Sequence, residues 1–181
     1  MSGWVVENRR SDGLFDTMAG SATIVDSTTG GTISCAAVEG IGRADSGTIR
    51  DNDWFGATVM TGYSSCTGPG SAGLEVFSPE IRLAPTSYDA ATDVVTGFAI
   101  VDIWGLFPTT PGCDVTLYPT DPLAEVPMTY DNGSTTVDLG PVTTAVYEAT
   151  GPDCSAFPGQ GEEMTFATTL VASPGFTVRP A

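Results

Sequence analysis

The chain has 181 residues and a formal net charge of −16, with 22 acidic residues, six arginines, no lysine and no histidine. Such a charge repels the phosphates of nucleic acids and of anionic membranes, so we expect neither as a partner. Without histidine the chain builds no Ser-His-Asp or Cys-His site, and without lysine it forms no Schiff base, so we expect no enzymatic activity.

The first 20 residues lack regular alternation and are predicted to be an N-terminal arm or docking segment. Its candidate assembly contacts are three apolar residues and two arginines: Trp4, Val5, Val6, Arg9 and Arg10. The alternative is a first strand around residues 4–6 that docks on the rest of the chain. The segment lacks the long apolar stretch of a signal peptide, so we expect either a removed leader or release by lysis of the host.

From residue 21 onward, short alternating runs of apolar and polar residues are separated by glycine and proline. This alternation predicts strands, and no segment keeps a helical period for three turns. The predicted strands are 21–25, 32–36, 47–50, 58–64, 74–78, 94–104, 115–118, 126–130, 135–139, 144–149, 164–172 and 176–178. The pattern predicts an all-β fold, an antiparallel β-sandwich or barrel, as a single domain over residues 21–181.

Two local features refine this prediction. Asn132-Gly133 lies between two predicted strands and indicates a β-hairpin, because both residue types tolerate positive φ angles. Strand 94–104 is the longest and most apolar of the set, so we expect it to be central, with Trp104 and Phe107 filling the core. No run of about 18 apolar residues occurs, so we expect no insertion into a membrane.

Four cysteines, Cys35, Cys66, Cys113 and Cys154, are separated by 31, 47 and 41 residues. The absence of a CxxC motif argues against a zinc ribbon, a thioredoxin-type site or an iron–sulfur cluster. An even number of cysteines in a β-rich chain is typical of structural disulfides in an oxidising compartment. Four cysteines allow three pairings, of which we favour the sequential one, Cys35–Cys66 and Cys113–Cys154. Four free thiols in a cytosolic protein are the alternative.

Several segments near the cysteines carry a resemblance to a known family. They are Thr32-Ile-Ser-Cys35, Cys66-Thr-Gly-Pro-Gly70, Thr86-Ser-Tyr-Asp-Ala-Ala-Thr92 leading to Thr96-Gly97, and Pro111-Gly-Cys113. Over residues 20–180 the chain resembles a family of small secreted, disulfide-containing β proteins of actinobacteria. The resemblance implies an exported protein with the same four-cysteine layout, which supports the sequential pairing. It implies no enzymatic activity and supplies no catalytic residues.

A few side chains are candidate ligand sites. Asp51 and Asp53 place two carboxylates in one loop, a spacing compatible with a weak Ca²⁺ site, although a polar β-turn explains them as well. No other cofactor is expected. Trp54, in the same loop, is a candidate surface aromatic for stacking on a sugar. Glu162-Glu163 and the glycosylation pattern Asn132-Gly133-Ser134 are better explained by a solvated loop and a turn.

These features favour a non-enzymatic structural or interaction protein of an extracellular surface. We expect a virion or cell-envelope component that assembles as a homo-oligomer or with a protein partner. The alternative is a secreted β-sandwich binding module for a glycan, a small molecule or Ca²⁺. Self-assembly predicts a defined oligomer, whereas a binding module predicts a monomer whose melting temperature rises with its ligand.

Overall fold

The structure, a computed structural model, describes residues 3–68, 74–78, 80–101, 104–108, 114–121, 125–152, 154 and 159–181. Within these residues the chain forms fourteen strands and no α-helix. The strands are β1 (Gly3–Asn8), β2 (Leu14–Asp26), β3 (Thr32–Arg43), β4 (Gly47–Arg50), β5 (Gly56–Thr67), β6 (Leu74–Ser78), β7 (Ile81–Asp89), β8 (Val94–Val101), β9 (Trp104–Pro108), β10 (Asp114–Pro119), β11 (Val126–Asp131), β12 (Thr136–Thr150), β13 (Glu163–Ser173) and β14 (Phe176–Pro180). The pairings between them are antiparallel, which confirms the predicted all-β antiparallel fold.

Five long strands form one continuous side of the molecule, in the order β5-β3-β2-β13-β12, which we call the long wall. At one end of the wall, β7, β8 and β11 connect β5 back to β12. At the other end, β6, β9 and β10 make the same connection. The described strands thus close two rings of eight, and the two rings share the long wall.

The wall strands pass from one ring to the other through local irregularities. β12 changes its partner from β11 to β10 across the cis peptide bond Gly140–Pro141, where its pairing with β13 also shifts register. Proline has no N–H to donate to a ladder, so it is tolerated in a strand at such a shift. Gly140 and Pro141 therefore bend one strand, where the sequence predicted two separate strands, 135–139 and 144–149.

An aromatic cluster fills the ring that contains β7, β8 and β11. The ring centroid of Phe176 lies 5.1 Å from that of Phe15, 6.0 Å from that of Phe55 and 4.7 Å from that of Tyr130, which stacks on it. The Tyr130 hydroxyl donates a 2.6 Å hydrogen bond to the Phe176 carbonyl. Because Phe176 belongs to β14, this cluster fixes the small sheet β14-β1-β4 on the ring.

The N-terminal segment belongs to this core. β1 pairs with β14 on one side and with β4 on the other, and the side chains of Trp4 and Val6 are buried. β2 begins at Leu14 and runs across the boundary predicted at residue 20. Residues 3–8 therefore form a strand that docks on the rest of the chain, as in the alternative interpretation. Residues 14–20 belong to a strand of the β domain itself.

The predicted strand 94–104 falls on two described strands. β8 covers Val94–Val101 and β9 begins at Trp104, and residues 102 and 103 lie outside the described residues. β12, with 15 residues, is the longest strand in the described chain. β8 lies between β7 and β11, as expected for an internal strand. The side chains of Trp104 and Phe107 lie outside the description. β7 is not among the predicted strands; it contains Pro85, which the structure places at a register shift.

Candidate interaction surface

The outer face of the long wall carries a group of exposed apolar side chains on β2, β3 and β5. Met18 of β2 is 67% exposed, Ile41 of β3 is 52% exposed, and Val59 and Met60 of β5 are 60% and 58% exposed. We call these four residues the wall patch. An antiparallel wall with a packed inner face normally turns polar side chains to water, so an apolar centre on the outer face calls for an explanation.

Two β-bulges produce the wall patch. Ile41 pairs with Met60 and Gly42 with Thr58, which leaves Val59 as an extra residue in β5. Met18 is likewise extra in β2, because Val171 pairs with Ala19 and Ala172 with Thr17. A bulge re-aims the side chains around it, so both Val59 and Met60 face solvent although they are consecutive.

A groove of about 470 Å³ opens at this surface. Its lining comes from β3 and β5 and consists of Glu39, Gly40, Ile41, Val59, Met60, Gly62, Tyr63 and Ser64. One of these residues is Gly40, where a Cβ would collide with the Met60 carbonyl oxygen, so the two strands approach closely at the groove. Pockets that hold small molecules or the anchoring side chain of a partner have volumes of a few hundred Å³. The groove is therefore large enough to accept either.

The charges around the wall patch are mostly acidic. Glu39 is exposed, lies opposite Gly62 on the neighbouring strand, and forms no ion pair within the described residues. Asp16, which pairs with Ile41 across the ladder, lies 3.7 Å from the Arg10 guanidinium. Arg43 forms a 2.9 Å ion pair with Asp45, which offsets its charge. Glu39 is therefore the acid of the groove that lacks a cation.

Buried hydroxyl groups lie on the inner face beneath the patch. The Oγ1 atoms of Thr17, Thr58 and Thr61 make no hydrogen bond within the described residues. The Tyr63 hydroxyl lies beside Thr168 without a hydrogen bond of good geometry, and burial raises the pKa of Tyr63 above its ordinary value. A buried hydroxyl without a partner is unfavourable, so the middle of the wall is not optimised for stability.

The predicted metal and aromatic sites lie in one turn next to β4. Asp51 Oδ1 accepts a 3.1 Å hydrogen bond from the Trp4 indole, and Asp53 Oδ2 accepts one of 3.3 Å from the Arg50 N–H. The described residues contain no group of three acids or cysteines that could hold a metal ion. Trp54 is 37% exposed and packs edge-on against Phe98 at 6.0 Å. These hydrogen bonds are those of a polar turn, and the Ca²⁺ site and the sugar-stacking role of Trp54 stay predictions.

The predicted assembly contacts are divided between the core and the surface. Trp4 and Val6 are buried and Val5 is half-buried, so the first two are not available to a partner of the folded chain. Arg10 pairs with Asp12 at 2.8 Å, and Arg9 is exposed. The predicted assembly residues lie on β1 and in the turn after it, whereas the wall patch lies on β2, β3 and β5. The structure therefore does not combine the two sets into one surface strand pair.

A polar network ties β14 to two turns. Asp93 pairs with Arg179 at 2.7 Å and accepts a 2.8 Å hydrogen bond from the Tyr88 hydroxyl. Asn132 is buried and donates to Asp93 and to the Val178 carbonyl. The Arg179 guanidinium, with Tyr88 and Asn132, lowers the pKa of Asp93 to about 2. These groups bind one another, so the network is structural.

The cysteines follow the predicted pairing as far as they are described. Cys35 and Cys66 lie opposite each other on β3 and β5 and form a disulfide. Cys154 is also disulfide-bonded. Cys113, its predicted partner, lies outside the described residues. A disulfide is compatible with an oxidising environment, and an exported protein, as expected from the sequence, would meet such an environment.

Sequence reasoning missed the wall patch, because a bulge leaves no distinct signal in the alternation of apolar and polar residues.

No described residues form a helix long and apolar enough to cross a membrane. No protein-family model matches the chain, and no curated protein is significantly similar to it. The resemblance to secreted actinobacterial β proteins therefore stays a prediction.

Proposed function

We propose that the chain is a non-enzymatic structural or interaction protein of an extracellular surface, and that it docks through the wall patch on a copy of itself or on another protein. The observation that carries the proposal is the position of the patch. Four exposed apolar side chains lie together on β2, β3 and β5 of the wall, and three of them, Ile41, Val59 and Met60, line a groove. Contiguous exposed apolar surface of this kind marks interaction sites in soluble proteins.

The composition of the patch supports this role. Two of its four residues are methionines, whose flexible thioether side chains adapt to the shape of a partner. β2 and β3 are paired on both sides, and β5 pairs with β3 along the patch and with β7 and β6 on either side of Val59 and Met60, so the surface is presented on a paired sheet. The Cys35–Cys66 disulfide joins two of those strands and favours a protein that works outside the reducing cytosol.

The test is oxidation of methionine by dilute hydrogen peroxide, read by peptide mass spectrometry. In the purified chain, Met18 and Met60 are expected to oxidise first, while the buried Met128 and Met164 serve as internal references. In the native extracellular material of the producing cells, we expect Met18 and Met60 to be protected several-fold. Equal oxidation in the native material and in the purified chain would overturn the proposal.

A second function, the secreted binding module, is favoured by the volume of the groove. A cavity of about 470 Å³ is in the range of small-molecule sites. In that case a small apolar compound would raise the melting temperature of the monomer. An Ile41→Ser/Met60→Ser variant should lose that increase, and a screen that finds no stabilising compound would argue against this function.

A further inference from the structure

We infer that the occupant of the groove is a protein segment that combines an apolar side chain with a positive charge, and not a second copy of this chain. This inference depends on the proposed function and specifies the partner of the same surface. The apolar side chain would lie against Ile41 and Met60, which are neighbours across the β3–β5 ladder and both line the groove. The cation would lie beside Glu39 at the rim of the groove.

Charge complementarity supports a cationic partner. Glu39 lines the groove, is exposed and has no ion pair within the described residues, whereas Arg43 on the same strand and Arg10, which contacts Asp16 opposite Ile41, are already paired with acids. A cation brought to the groove therefore meets an unbalanced carboxylate rather than a competing arginine. The whole chain adds to this effect, because its net charge of −16 attracts a basic partner from a distance.

The same charges disfavour a second copy. An interface between two identical wall patches would place a chain of net charge −16 against another of the same charge. The copy would bring few free cations, because four of the six arginines form ion pairs within their own chain: Arg10, Arg43, Arg82 and Arg179. Like charges across an interface suppress association, so the apolar patch faces a chemically different protein.

The test is calorimetric titration of the full chain with three synthetic decapeptides at about 0.15 M salt, where exposed charges are screened beyond about 8 Å. One peptide alternates leucine and arginine, the second leucine and glutamate, and the third serine and arginine. We expect the leucine–arginine peptide to bind at a stoichiometry of one and about tenfold more tightly than either of the others, a difference of about 1.4 kcal/mol.

Three variants locate the binding. Ile41→Ser/Met60→Ser should weaken the leucine–arginine peptide about tenfold, and an unchanged urea midpoint would show that this variant folds. Glu39→Gln should weaken the same peptide about threefold, in keeping with one exposed charge pair, and should not weaken the leucine–glutamate peptide, whose repulsion by Glu39 it removes. Glu148→Gln is the matched control, because it removes one exposed acid from β12 without altering the groove.

The outcomes separate the inference from the proposed function. Equal binding of both leucine peptides, lost in Ile41→Ser/Met60→Ser, would overturn the requirement for a cation and leave the docking surface intact. Equal binding of the two arginine peptides would overturn the inference by showing that net charge alone suffices. If no peptide binds while Met18 and Met60 are protected in native material, the inference fails and the proposed function stands.

Discussion

The side chain of Asn132 hydrogen-bonds both backbone polar groups of Val178. Its Oδ1 accepts from the Val178 N–H at 2.7 Å, and its Nδ2 donates to the Val178 carbonyl at 3.0 Å. Val178 lies in β14, which pairs with β1 on its other side. One amide side chain thus takes the place of a neighbouring strand, and it covers backbone groups that an edge strand would otherwise leave open.

Replacing this amide is expected to destabilise the fold. In Asn132→Ala, the buried N–H and C=O of Val178 lose their partner, which should lower the free energy of unfolding by about 3 kcal/mol. Urea denaturation measures this change. Ser134→Ala, in the same turn but exposed, is the control and should have little effect. A loss in Asn132→Ala no larger than in the control would contradict this role.

The same geometry predicts that Asn132 carries no glycan. The residue is 4% exposed and its Nδ2 donates to Asp93 and Val178, so the nitrogen of the acceptor pattern is not accessible in the folded chain. Expression through a eukaryotic secretory pathway should therefore yield the unmodified mass at this position. A mass spectrum with a glycan on Asn132 would show that modification precedes formation of the β11–β12 hairpin.

The Asp93 network predicts a dependence of stability on pH. Arg179 lowers the pKa of Asp93 to about 2 in the folded state, below the value of about 3.9 for a free aspartate. Because the folded pKa is the lower one, the stabilisation is present above about pH 4 and is lost as the pH falls through 2. Urea midpoints between pH 5 and pH 2 should therefore fall more steeply in the wild type than in Asp93→Asn.

Other carboxylates change with pH as well, so the difference between the two proteins is the informative quantity. The pKa values of Asp12, Asp26, Asp89 and Asp131 are also lowered by their hydrogen bonds. Asparagine is a suitable replacement at position 93 because it tolerates the φ of 57° found there. Parallel midpoint curves for wild type and Asp93→Asn would argue against a role of the ion pair with Arg179.

Replacing either of two buried threonines of the long wall by valine should change the free energy of unfolding, but in opposite directions. The Thr61 hydroxyl has no hydrogen-bond partner within the described residues, so Thr61→Val should raise the free energy of unfolding by about 1 kcal/mol. Thr144 donates to the Met164 carbonyl at 3.1 Å, so Thr144→Val should lower it by a similar amount. Urea denaturation of both variants is the measurement, and a destabilised Thr61→Val would indicate a bound water that its hydroxyl holds.

The disulfide between β3 and β5 should stabilise the fold because it restricts the conformations of the unfolded chain. Cys35 and Cys66 are 31 residues apart, and closing a loop of that length restricts the unfolded chain by about 3.5 kcal/mol. The double variant Cys35→Ala/Cys66→Ala should therefore unfold at a clearly lower urea concentration. The ladder around the pair supplies the native geometry in either case, so circular dichroism of the variant at zero urea should match the wild type.

Alternation in the sequence was sufficient to predict regular strands. β4 and β6 have the predicted bounds, and a hairpin joins β11 to β12 as Asn132-Gly133 indicates. Its loop is longer than a two-residue turn, because Asp131 pairs with Thr136 and Asp131 Oδ1 accepts the N–H groups of Gly133 and Ser134. The positive φ falls on Thr135, at 56°. Turn chemistry therefore predicted the position of the hairpin and missed its length.

The wall patch could not be predicted in the same way. Strict alternation over 58–64 places Thr58 and Met60 on one face and Val59 and Tyr63 on the other. The bulge at Val59 instead buries Thr58 and Tyr63 together and exposes both Val59 and Met60. A bulge is decided by the partner strand, since β3 must accommodate the extra residue. The sequence shows which residue types the patch contains, but it does not show whether they lie on the inner or the outer face of the wall.

The pairing of β2 with β13 has a consequence for synthesis of the chain. The hydroxyl of Thr168 donates to the carbonyl of Ser21 across 147 residues of sequence, within a ladder that belongs to both rings. Neither ring closes until β13 has left the ribosome. Until then the nascent chain exposes the unpaired sides of β2 and β12, which are sites for pairing with other chains. Slow translation before residue 163, or a premature stop there, should therefore lead to aggregation rather than to a smaller folded unit.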